Sequence, residues 1–63
     1  MQDEYRKRLK EYIARYGIKQ IFVAKYMGIS VQYLNNWLHS RYDMHDSHMA
    51  EIDSFINGDW MNG

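Results

Sequence analysis

The chain has 63 residues, eight Lys and Arg against eight Asp and Glu, no cysteine and no proline. At this length one domain buries only about 60% of its unfolded surface, so a stability of about 3–5 kcal/mol is expected. Lack of cysteine excludes a disulfide framework and thiolate metal sites. No apolar run approaches the roughly 20 residues of a membrane span, and no leader pattern is present, so the expectation is a cytoplasmic protein.

Neutral overall charge conceals an uneven distribution. Residues 1 to 41 hold all eight Lys and Arg against three acids, a net +5, whereas residues 42 to 63 hold five acids and no Lys or Arg, a net −5. Such a chain can offer a basic end to phosphate and an acidic end to solvent or a partner. The fold class expected is all-α: proline is absent and β-branched runs are short. One domain over residues 1–63 is anticipated, with helices at about 3–16, 20–27, 30–39 and 46–57.

In the first helix Tyr5, Leu9, Tyr12, Ile13 and Tyr16 recur on one face. Its other faces are charged, with Glu4 to Arg8 and Glu11 to Arg15 as favourable i,i+4 pairs worth about 0.2–0.5 kcal/mol each. Arg6, Lys7 and Lys10 could contact a phosphate backbone, but read in preference as a solvated face. Gly17 ends this helix, and Ile18 is placed to staple against Val23.

Gln20 to His39 reads as two short helices joined by a three-residue turn. Ala24 is small where helices approach closely, and Gly28 stands where the first of them must stop. Ser30 is the expected cap of the second. A 100° turn per residue groups Ser30, Leu34, Trp37 and Leu38 on one face, and sets Gln32, Asn35, Asn36 and His39 opposite or beside them. Lys and Glu would serve solubility better than this amide-rich outer face.

Amides at Gln32 and Asn36 can bond bidentately to adenine N6 and N7 in a major groove, with Asn35 and His39 alongside and Val31 set for a thymine methyl. No Arg or Lys lies between Val31 and His39. The arginine-to-guanine contact is therefore missing, and a site read mainly at A·T pairs is expected, with affinity from Lys19, Lys25 and Arg41 on the backbone. Tyr33 offers a hydroxyl for phosphate or a half-buried ring.

The final helix is expected to face Met49, Ile52, Phe55 and Ile56 inward, with Met44 closing the base of the core and Gly58 stopping the helix. His45 and His48, near Asp43 and Asp46, read as capping and surface groups and not as a metal site. Trp60 and Met61 are too apolar for an idle tail. They either fold back on the core or form a dimer interface with a second subunit.

Gln20, Ala24, Gly28-Ile29-Ser30, Leu34 and Trp37-Leu38 together resemble the Cro and phage-repressor class of helix-turn-helix DNA-binding domains, over about Leu9 to Ile56. Lys19 replaces a frequent Ser or Thr cap, Ser40 a frequent Gly, and Ile21 and Phe22 residues that are commonly charged. The resemblance implies a compact four-helix domain whose first helix braces the motif. It also implies that Gln20 reaches phosphate or braces a neighbour, and that Arg41 and Tyr42 contact the DNA backbone. The function implied is sequence-specific double-stranded DNA binding as a homodimer, with half-sites about 34 Å apart. Transcriptional regulation, most often repression, in a bacterial or phage-infected cell is the implied output.

Neither a nucleophile with a base partner nor a phosphate loop is present, so no enzyme, cofactor or small-molecule substrate is expected. The competing readings are a protein-interaction module of the phage-inhibitor or antitoxin-adaptor kind, and a recombination or packaging accessory. Neutral charge, Ile21 and the aromatic content favour the first of these.

Overall fold

Four α-helices make up the computed structural model, which describes residues 2 to 62. Met1 and Gly63, the ends of the expected 1–63 domain, lie outside the described residues. The helices are α1 (Asp3–Tyr16), α2 (Gln20–Met27), α3 (Val31–Leu38) and α4 (Asp46–Ile56), followed by a short 3-10 turn at Asp59–Met61. No strand occurs among the described residues. The radius of gyration is 10.6 Å.

Expected boundaries and observed ones differ at α3 and α4. Ser30 stands outside α3 as its cap, its Oγ accepting the Tyr33 N–H at 3.0 Å, and His39 follows the last helical residue. Helix α4 ends one residue early, at Ile56. Its cap is His45, whose Nδ1 accepts the Ser47 N–H at 3.2 Å. Lys19 precedes α2 in an extended conformation without a side-chain bond.

Left-handed backbone turns the chain at both ends of the α3 region. Gly28 ends α2 at φ +72°, and the Ile29 N–H then reaches the Ala24 carbonyl at 3.0 Å. After α3 the left-handed residue is Ser40, at φ +62°. Ser40 N–H donates to Trp37 O and Arg41 N–H to Asn36 O, at 2.9 and 3.1 Å. This is the bonding of a Schellman termination, with a side chain where glycine costs least.

Helix α1 packs on α3 and α4, and α2 packs on the same two helices. Between them lie Leu9, Val23, Ala24, Met27, Leu34, Trp37, Leu38, Met44, Met49, Ile52 and Phe55, all buried. Tyr5, Tyr12, Ile13, Ile18, Ile29 and Ile56 flank this core. Two expected members are outside it: Ser30 is exposed and Tyr16 is 60% exposed. Tyr16 lies at the end of α1, beyond the core, and its ring meets Tyr12 at 4.9 Å.

Two polar side chains expected nowhere near the core are buried in it. Arg6, read from sequence as solvated, is 6% exposed. Its guanidinium donates to Trp37 O through Nε, to Tyr42 O and Asp43 Oδ1 through Nη2, and to Asp3 Oδ1 through Nη1. It also lies 5.0 Å from the Trp37 ring centroid. Gln2 takes the Trp37 indole N–H at 2.7 Å and the Met44 N–H at 2.9 Å on its Oε1, and donates to Met44 O at 2.7 Å.

Neither expected i,i+4 pair forms within α1, and Arg8 exchanges its partner for one on another helix. Arg8 turns from Glu4 to Asp53 of α4 at 2.9 Å, and Arg15 lies over the Tyr16 ring at 6.0 Å instead of pairing with Glu11. A helix-surface pair is worth only a few tenths of a kcal/mol, so a bond between helices displaces it easily.

Replacing Arg6 with Met is expected to destabilise the fold by at least about 2 kcal/mol in urea unfolding, because two inward carbonyls lose their donor. Ser40→Gly should stabilise it by about 1 kcal/mol, by relieving left-handed strain at a side-chain-bearing residue.

Candidate nucleic-acid interface

Helix α3 has the sharpest division between faces. Leu34 and Trp37 are 0% exposed and Leu38 2%, while Val31 is 42% exposed and Gln32 is open to solvent. Asn36 is half-buried. Val31, Gln32 and Asn36 have no side-chain hydrogen bond among the described residues, so both amides keep their full donor and acceptor capacity.

The other two expected base contacts are engaged within the protein. Asn35 donates its Nδ2–H to Gln20 Oε1 at 3.1 Å, tying α3 to the first residue of α2. The Gln20 Nε2 donor is left free. Phosphate accepts such a donor, and the start of a helix favours an anion. His39 places Nδ1 2.8 Å from Asn35 O, folding back on its own helix.

Tyr33 and Tyr42 form a stacked pair, with centroids 5.2 Å apart at 24°. The Tyr42 hydroxyl donates to Tyr33 O at 2.9 Å, so its one hydrogen is directed inward and not toward a phosphate. Tyr33 is half-buried and meets the His48 ring edge-on. Lys19, Lys25 and Arg41 are exposed, and none has a carboxylate within 4 Å among the described residues.

Lys10, read from sequence as solvated in preference to a phosphate contact, lies beside this region. It lines a shared hollow with Gln20 and His39, formed where α1, the start of α2 and the end of α3 meet. The available clue was local: Arg6, Lys7, Ile13 and Ala14 occupy the positions three and four residues away, so Lys10 has no acidic partner on its own helix.

Folding cancels part of the charge asymmetry. Arg6–Asp43 and Arg8–Asp53 join the basic and acidic halves of the chain. Lys7, Lys10, Arg15, Lys19, Lys25 and Arg41 remain without such partners among the described residues. His48 spends its Nδ1 on Glu51 at 2.6 Å, while His45 caps α4.

Of the two roles open to the tail, Trp60 takes the fold-back one. It stacks on Phe55 at 5.4 Å and 20°, meets Phe22 edge-on at 5.4 Å, and donates its indole N–H to Tyr12 Oη at 2.9 Å. Met61 stays 66% exposed. Free amides, exposed cations and a divided helix make this region suited to recognising a polar, anionic surface.

Comparison of the chain with protein-family models, curated proteins and solved structures finds no match. Tyr42→Phe removes the bond to Tyr33 O while keeping the stack. It is expected to lower stability by about 1 kcal/mol and the melting temperature by roughly 5 °C, read by circular dichroism.

Proposed function

We propose that this chain is a helix-turn-helix domain of the Cro and phage-repressor type. It binds double-stranded DNA by laying α3 in the major groove, with α2 across the groove mouth. The observation that carries this reading is the outward face of α3. Val31, Gln32 and Asn36 are unengaged there, on a helix whose opposite face is closed by Leu34, Trp37 and Leu38. Gln32 and Asn36 read adenine edges and Val31 a thymine methyl. Asn35 braces Gln20, while Lys19, Lys25 and Arg41 supply sequence-independent affinity from the phosphates.

The domain acts as a homodimer on two half-sites, in the cytoplasm of a bacterial or phage-infected cell, and regulates transcription, most often by repression. Met61 and the exposed edge of Trp60 form part of its dimer contact. A second reading is favoured by one observation: Ile21 is 50% and Phe22 45% exposed on α2, an apolar surface suited to a protein partner. On that reading the domain is an interaction module that keeps this fold without using DNA.

Selection of bound duplexes from a random pool, at two salt concentrations, separates the two. DNA reading predicts a symmetric, A·T-rich motif and an affinity that falls steeply with salt. Enrichment of G·C-dominated half-sites, or of nothing, contradicts it. Gln32→Ala or Asn36→Ala should cost about 1–3 kcal/mol on the selected site and little on scrambled DNA, with the fold intact.

A further inference from the structure

The hollow between α1, α2 and α3 gathers Lys10, Gln20 and His39 around apolar walls of Ile13, Ile18 and Leu38. The bonding of His39 fixes which of its nitrogens faces out. Asn35 O is a carbonyl and can only accept, so at 2.8 Å the Nδ1 of His39 must carry the hydrogen. A neutral His39 therefore carries a bare Nε2 lone pair without a partner among the described residues, and a charged one an Nε2–H donor.

The charged group facing His39 from α1 is Lys10. From α2 the facing group is the uncharged Gln20, with Lys19 just before it. Helix α3 itself carries no charge, and Arg41 lies two residues beyond His39. No carboxylate lines this hollow; Glu11, next to Lys10 in the chain, lines two other hollows on α1.

We infer that Lys10 and His39 form a proton-dependent contact for a DNA phosphate, one that engages fully only when His39 is charged. The inference rests on the DNA-binding reading above. The lone pair of neutral His39 repels a phosphate oxygen, whereas the imidazolium donates to it beside the Lys10 ammonium. Binding DNA thus takes up a proton, and affinity is greater at acid than at alkaline pH. Phosphate is shared by all sequences, so the effect is independent of base sequence.

The test measures fluorescence anisotropy of labelled duplexes against salt, at about pH 5.5 and about pH 8, for the wild-type chain, His39→Gln and Lys10→Gln. Thermal melting of each variant checks the fold. The wild type is expected to have a log–log salt slope steeper at the lower pH by about 0.9 more than His39→Gln shows, on selected and scrambled duplexes alike. Lys10→Gln should lower the slope by about 0.9 at both pH values.

Equal pH responses in the wild type and His39→Gln overturn the inference, and leave the DNA reading intact if salt-dependent binding persists. An effect of His39→Gln on one duplex sequence only makes the residue a base reader and also overturns it. Absence of duplex binding at any salt overturns both.

Discussion

The position of α3 depends on a cation placed where cations are costly. Arg6 is nearly buried, and burying a charge is unfavourable unless every donor finds an acceptor. Here the donors meet two main-chain carbonyls and two carboxylates, and the guanidinium lies against the Trp37 ring. Those acceptors come from α1, the end of α3 and the segment after it. Displacing any one of the three would leave a buried polar group unpaired. Gln2 repeats the pattern with a neutral amide, closing on the indole of Trp37 and on both backbone groups of Met44. No buried side-chain nitrogen or oxygen among the described residues lacks a partner.

Holding α3 from behind leaves its outer face open. The last turn of a helix has carbonyls without intrahelical partners. At α3 they are met by Arg6, by His39 folding back, and by the amides of Ser40 and Arg41. Tyr42 then locks the following segment against Tyr33. On the DNA-binding reading proposed above, a face held this firmly loses less conformational freedom on binding.

The opposite end is closed by aromatic rings. Phe55 lies within 5.2 Å of Tyr26, 5.4 Å of Trp60 and 5.7 Å of Tyr12, measured between centroids. Large rings bury much area per residue, and edge-on or offset contacts add to it. For a chain this short, drawing Trp60 back from beyond α4 supplies core that the four helices alone do not.

Local chemistry was sufficient to determine the four helices, their order and most of the interior. Spacing of 3.6 marks Leu9, Leu34, Trp37, Met49, Ile52 and Phe55, and Gly17, Gly28 and Ser30 punctuate the chain through backbone preferences that act within a few residues. The free faces of Gln32 and Val31 were legible for the same reason. Tertiary structure alone decided the fate of long polar side chains. Arg6 and Lys10 are one turn apart on α1 and read alike, yet one is buried under α3 and the other opens into a hollow beside it. A flexible cation has several partners within reach, and only the crossing of helices distant in sequence selects among them. The same applies to Asn35, Tyr42 and Trp60, whose bonds join residues 15, 9 and 48 positions apart.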